Sequence, residues 1–137
     1  MRWALLDTAV YIDVWERGLR PELVAELRNA FVIRYSSVVL SELRRGARAP
    51  AARRVVQALF RLAADPWAPT AADWWEAGAL IQKIADSHGW DDGKRRDFQN
   101  DALIALTARR HRATVVTSNR RDFELLSKRL GVTVLIV

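Results

Sequence analysis

At 137 residues, half of them apolar, the chain is long enough to bury a core unaided. With no cysteine it excludes disulfide scaffolds, thiolate zinc sites and cysteine nucleophiles together. Its 22 Lys+Arg against 16 Asp+Glu leave a formal charge of +6, which favours polyanionic partners such as nucleic acid or an acidic protein. No apolar stretch approaches the roughly 18 residues that span a bilayer, and Asp7 interrupts the start before a signal-peptide core can form, so we expect a soluble, cytoplasmic protein with residues 1–137 in one domain.

Short apolar runs alternate with longer stretches of helical spacing, a pattern that predicts an α/β fold. Strands are expected at 3–6, 31–34, 114–117 and 132–136, each rich in β-branched or aromatic residues as buried parallel strands are. Pro21 opens a first helix in its first turn, and Ser36 or Ser37 caps another that runs to Gly46. A third follows Pro50 and stops near Asp65 and Pro66, and a fourth runs from Thr70 to Ser87. Residues 89–93, Gly-Trp-Asp-Asp-Gly, read as the loop before a helix from Lys94 to His111, and Asn119 caps a last helix ending before Gly131. In a parallel sheet flanked by helices, ligands bind beyond the carboxyl ends of the strands where strand order reverses. Two of the expected strand ends, Asp7-Thr8 and the run from Ser118 to Asp122, are polar.

Asp7 directly follows Ala4-Leu5-Leu6, so burial there demands a cation, hydrogen-bond donors or water. The same residue, or Thr8, is also placed to cap the next helix. Glu42 sits in a helix whose apolar side is Val38, Val39, Leu40 and Leu43; it either leans inward or lies in solvent as a partner of Arg45. Asp101 introduces Ala102-Leu103-Ile104-Ala105-Leu106, and a helix apolar on nearly every side is buried, so Asp101 either caps a new segment or enters a polar pocket. Asp97, one turn earlier, is expected in solvent. Asn119 and Asp122 have the spacing of a capping box. The case for function lies in the combination: Asp7, Glu42, Asp101 and the Asn119/Asp122 turn fall where a doubly wound sheet brings residues together. Hard oxygen ligands without thiolate suit Mg²⁺ or Mn²⁺. Neither histidine is needed; His88 lies near a loop, and His111 is expected to complete a solvated, arginine-rich helix end.

The strings LLDTAVYID, SSVVLSELRRG and NDALIALTARRHRATVVTSNRRDF, in this order and spacing, resemble the PIN-domain ribonucleases, most closely the VapC-type toxins of bacterial toxin–antitoxin pairs. The likeness spans nearly the whole chain. It implies a three-layer α/β/α fold with a short, mostly parallel sheet, and an acidic cluster that binds Mg²⁺ or Mn²⁺ and cuts RNA through an activated water. Carried over by position, Asp7, Glu42 and Asp101 are the first three acids and the metal ligands. After the late strand, where the family has Thr-x-Asp/Asn, the chain has Thr117-Ser118-Asn119; an amide stands where some relatives carry a carboxylate, and Asp122 is the alternative fourth position. The missing charge leaves the number of metal ions open. Thr8 and Thr117 resemble the hydroxyl residues that trim such a site, and the family likeness further implies a homodimer and a small antitoxin that covers the active site.

Six Arg and no acid lie between Leu43 and Ala64: Arg44, Arg45, Arg48, Arg53, Arg54 and Arg61. They form a candidate RNA track, with Arg44 and Arg45 the foremost phosphate contacts and Arg120 and Arg121 beside the site itself. The bland alternative is a solvated helix face, or one that meets an acidic partner. Trp74 and Trp75, among six Trp, are expected in the core or at a dimer surface in preference to stacking on RNA bases. The rival to an enzyme is a catalytically silent PIN-like module that binds RNA or protein while its acids merely cap helices. A receiver-like phosphoacceptor domain is disfavoured by the absence of an early acidic pair and of a Lys closing a late strand. Ala9 breaks the Asp-x-Asp pattern of phosphatases, and no Gly-rich phosphate loop is present.

Overall fold

The computed structural model describes all residues, 1–137. Four short strands, β1 (Trp3–Leu6), β2 (Val32–Arg34), β3 (Thr114–Thr117) and β4 (Val134–Ile136), form one sheet in the order β2-β1-β3-β4. Every pairing is parallel. The cause is visible in the central pair: Ala4, Leu5, Leu6, Val115 and Val116 are buried and apolar on both sides of the pleat, as strands covered on both faces must be. Parallel neighbours need crossovers, which seven helices supply. These are α1 (Thr8–Trp15) and α2 (Leu23–Ala30) before β2, then α3 (Ser37–Gly46), α4 (Pro50–Leu62), α5 (Ala71–His88) and α6 (Asp92–Arg110) before β3, and α7 (Arg120–Leu130) before β4. The result is a three-layer α/β/α fold. From β1 the chain moves to β2 on one side and then returns to β3 on the other, so strand order reverses between β1 and β3. The crevice at that point is bounded by the two carboxyl ends that carry Asp7 and Thr117.

Side-chain caps decide most helix starts. Ser36, rather than Ser37, caps α3 by accepting from the Val38 and Val39 N–H groups, and Thr70 and Asp73 form a reciprocal capping box on α5. Glycines in the left-handed region close α5 and α7, Gly89 at φ 64° and Gly131 at φ 71°. Several expected boundaries move, β2 and β4 starting at Val32 and Val134 among them. Pro21 does not open a helix; it lies in a turn after Arg20, which has φ 45°, and α2 begins at Leu23. Pro50 is the first residue of α4 instead of its flank, and α4 ends at Leu62, before Asp65. Residues 89–93 are not all loop, because Asp91 accepts from the Lys94 N–H at 2.8 Å and starts α6 at Asp92, ahead of Gly93.

The core centres on α6, where Phe98 and the whole run from Ala102 to Ala108 are buried against α3, α5, α7 and β3. Its one polar member, Thr107, donates its hydroxyl to the Leu103 carbonyl at 2.7 Å. The expectation that Trp74 and Trp75 enter the core fails: α5 turns Ala77, Leu80, Ile81 and Ile84 inward, which leaves Trp74 50% and Trp75 85% exposed. No helix is long and apolar enough to cross a membrane.

Candidate functional site

Parallel register sets the ends of β1 and β3 side by side: Leu6 pairs with Val116, and the Asp7 N–H donates to the Val116 carbonyl at 2.8 Å. The fully buried Thr117 hydroxyl donates to Asp7 Oδ2 at 2.8 Å, and the Thr8 N–H donates to Asp7 Oδ1 at 2.8 Å. Asp7 is therefore a helix cap and an inward-facing acid at once, 4% exposed, with both oxygens on neutral donors. From α3, the half-buried Glu42 accepts from Thr8 Oγ1 at 2.8 Å and forms no ion pair with Arg45. From α6, Asp101 lies mid-helix, not at a new cap, and its Oδ2 is 3.4 Å from Asn119 Nδ2. Asp97, one turn away, is exposed.

The Asn119/Asp122 turn is a partial capping box. Asn119 Oδ1 accepts from the Asp122 N–H at 3.4 Å, but the Asn119 N–H donates to Thr117 Oγ1 at 2.9 Å instead of to Asp122. The Asp122 carboxylate accepts from Asn119 Nδ2 at 3.2 Å and from Lys94 Nζ, which is 3.1 Å from each of its oxygens.

These acids feel one another. Burial pushes Asp7 up to about 6 against the lowering pull of Thr117 and Thr8, with the Glu42 charge adding to the rise. Asp101 is pushed up to about 8, first by burial and then by the charges of Asp7, Asp122 and Glu42. Carboxylates from β1, α3, α6 and α7 thus share one electrostatic neighbourhood, in which Lys94–Asp122 is the one ion pair. No three carboxylate or imidazole groups close on a single point.

A family model for the PIN domain matches residues 4–128. The chain belongs to the PIN domain family. Among solved structures it is similar to VapBC-1 from nontypeable Haemophilus influenzae, at TM-score 0.70 and 20% identity over 98% of this chain and 97% of that one. It is also similar to VapBC2 from Rickettsia felis, solved bound to a DNA fragment from their promoter, at TM-score 0.68 and 20% identity over 98% of each chain. FitAcB from Neisseria gonorrhoeae gives TM-score 0.68 and 24% identity over 96% of each chain. At these identities the likeness speaks for the fold. Comparison with curated proteins gives no match.

Around the acids of this PIN domain the basic residues divide. Arg45 lines a polar recess with Glu42, Arg96 and Asn100, and also a groove of about 720 Å³ between α3 and α4, together with Arg44, Arg53, Arg61 and the exposed Phe60. Arg48 and Arg54 lie outside both. Arg120 is engaged with Glu124 at 3.0 Å. Thr8 and Thr117 spend their hydroxyls on Glu42 and Asp7, and Thr117, being fully buried, orients an acid without facing solvent.

His111 ends α6 as its C-cap and is partly exposed, but it is also held by packing. Its ring stacks on Trp67 with centroids 3.8 Å apart and planes 6° from parallel; burial, then Arg110 and Arg34, lower its pKa. His88 is exposed, its Nδ1 2.9 Å from the Ile84 carbonyl. Sequence reasoning missed Lys94 as a member of the cluster. The available signal was its place seven residues before Asp101, on the same helix face; its partner Asp122, 28 residues on, gave no local sign.

Proposed function

We propose that this PIN domain is a divalent-metal-dependent endoribonuclease, the toxin of a VapBC-type pair, which hydrolyses RNA phosphodiester bonds in the cytoplasm. The observation that carries the reading is the meeting of Asp7, Glu42 and Asp101 where strand order reverses, with Asp7 and Asp101 pushed up to about 6 and about 8. Buried carboxyls whose ionisation is held back by burial and by one another are relieved by a divalent cation. The donor set is all hard oxygen and fits Mg²⁺ or Mn²⁺. Mg²⁺ keeps several waters, so it does not require three protein ligands converging on one point.

Asp7, Glu42 and Asp101 would hold the ion, which when bound polarises a phosphodiester and lowers the pKa of an attacking water. The chain's own residues prepare that chemistry. Thr117 and Thr8 fix the carboxylates of Asp7 and Glu42, and Asn119 steadies Asp101. Glu42, bonded through Oε1 alone, keeps Oε2 free to accept a proton from water. Arg45 and Arg44 line the way out of the cluster and suit RNA phosphates, contacts that position a strand without reading its sequence.

The likeness to VapBC and FitAcB structures over nearly the full chain supports an antitoxin partner. A homodimer belongs to the same proposal, and the exposed Trp74 and Trp75 offer a surface for it. Thermal melting at about pH 8 with EDTA, Mg²⁺ or Mn²⁺ tests the site, because an ion that binds the folded state alone raises Tm by mass action. A rise in wild type that Asp101→Asn lacks is expected. A wild-type Tm indifferent to both ions contradicts the reading and favours a silent binding module.

A further inference from the structure

Lys94 is held as few surface lysines are. It is the third residue of α6, its N–H fixed on the Asp91 cap at 2.8 Å. It stands two helical turns before Asp101, so both project from one side of the helix. Its Nζ lies 3.1 Å from both oxygens of Asp122, 5.0 Å from the centroid of the Trp90 ring and 5.6 Å from that of Phe98. A lysine ammonium is ordinarily mobile and strongly hydrated. Two aromatic rings and a carboxylate that is only 8% exposed flank this one, whose side chain remains 37% exposed.

Asp122 is correspondingly neutralised. Its Oδ1 accepts from Lys94, and its Oδ2 accepts from Lys94 and from Asn119 Nδ2 at 3.2 Å. Asp7, Glu42 and Asp101 have no cation of their own: Thr117 and Thr8 donate to Asp7, Thr8 to Glu42 and Asn119 to Asp101, which also shares a hydrogen bond with Asp122.

We propose that Lys94 is the fixed cation of the acid cluster: it occupies Asp122, keeps that carboxylate out of the ligand set and limits the cluster to one divalent ion on Asp7, Glu42 and Asp101. This rests on the metal reading given under Proposed function. With all four carboxyls ionised, as at alkaline pH, the cluster carries four negative charges; Lys94 returns one and a first divalent ion two, so it stays negative by one. A second ion would turn it positive and would have to displace an ammonium from the ligand it needs. Without Lys94, two ions would neutralise the four acids. The fourth position is then Asn119 by default, an amide that orients Asp101 and adds no charge.

Mn²⁺ titration of the full chain, counted by isothermal calorimetry and by electron paramagnetic resonance of the bound ion, tests this. Wild type and Lys94→Arg are expected to take one ion, Lys94→Met two, and Lys94→Met combined with Asp122→Asn one again. Two ions in wild type, or one ion in a folded Lys94→Met, overturns the proposal and leaves the metal site standing. No Mn²⁺ bound to wild type overturns both. Should Lys94→Met not fold, Asp122→Asn decides. Loss of a carboxylate outside the ligand set is expected to leave one ion bound with an unchanged electron paramagnetic resonance spectrum, whereas a changed spectrum of the bound Mn²⁺ makes Asp122 a ligand.

Discussion

Thr117 and Asp7, 110 residues apart in sequence, meet across the seam between β1 and β3 through a buried hydroxyl-to-carboxylate hydrogen bond of 2.8 Å. That bond lowers the Asp7 pKa against the larger rise from burial. Thr117→Val keeps the shape and removes the donor, leaving Asp7 Oδ2 without a partner. A hydrogen bond to a charged group contributes about 1.5–3 kcal/mol, so Mn²⁺ affinity near neutral pH is expected to fall about tenfold or more. Thr117→Ser should restore it. Calorimetry of the three proteins checks this, and equal affinities would show that Thr117 has no part in preparing Asp7.

Asp7 and Asp101 make the metal-free protein pH-sensitive in a defined sense. Both carboxyls ionise near 3.8 when unfolded, but at about 6 and about 8 when folded, so folding takes up protons. Their contribution to stability is complete below about pH 4 and is lost as pH rises through the two folded values. At about 1.4 kcal/mol per pH unit, Asp7 alone accounts for about 3 kcal/mol. In EDTA, Tm is expected to drop by several degrees between about pH 5 and about pH 9, and Mn²⁺ to restore it at the alkaline end only. Asp101→Asn removes the most strongly raised acid; in EDTA at alkaline pH it should melt above wild type and gain nothing from Mn²⁺. A metal-free Tm that does not fall over this range would mean that the repulsion is not there.

Much of this site was legible locally. Asp7 stood out because it ends a buried apolar run, and Asp101 because it opens one; both signals depend only on neighbours in sequence. Ser36 and Asn119 were readable as caps for the same reason. What escaped depends on partners far along the chain. Lys94 gains its place from Asp122, 28 residues on, and two glycines flanking Asp91 suggested a loop that the Asp91 cap overrides. His111 was legible as a helix terminus, but nothing near it in sequence announces the stack on Trp67. For Trp74 and Trp75 hydrophobicity left core and dimer surface both open, whereas the period of α5 assigns the inner face to Ala77, Leu80, Ile81 and Ile84.

His111 offers a second titration, away from the acids. Burial lowers its pKa below 6.5 first, and Arg110 and Arg34 lower it further, with Asp73 opposing them. The folded state favours the neutral ring, so this residue's contribution is present above the unfolded value and is lost as pH falls through the folded one. Its midpoint, followed by NMR, is expected below 6.5 and should move upward in Arg34→Gln, which removes the guanidinium 4.7 Å from the Trp67 ring. A midpoint unmoved by that change would take Arg34 out of the account.

The groove between α3 and α4 makes a salt-dependent prediction. Arg44, Arg45 and Arg53 line it, and Arg45 joins it to the recess at Glu42. Each phosphate contact to a single strand contributes about 0.7 to the slope of log affinity against log salt. Binding of labelled RNA to the Asp101→Asn protein should therefore lose slope stepwise in Arg45→Gln and in Arg45→Gln combined with Arg44→Gln. Unchanged slopes would send the RNA elsewhere, and tight binding of an acidic peptide in its place would identify the groove as a protein-docking surface.

The central claim, that carboxylates from separate elements cut RNA with a shared divalent ion, is tested most directly by incubating purified protein with total RNA and mapping product ends, with Mn²⁺ or with EDTA. Discrete cleavage by wild type with Mn²⁺, abolished by EDTA and absent from an identical preparation of Asp101→Asn, is the expected result. Cleavage that survives in Asp101→Asn or in EDTA, or no cleavage by wild type under any divalent ion, would contradict it.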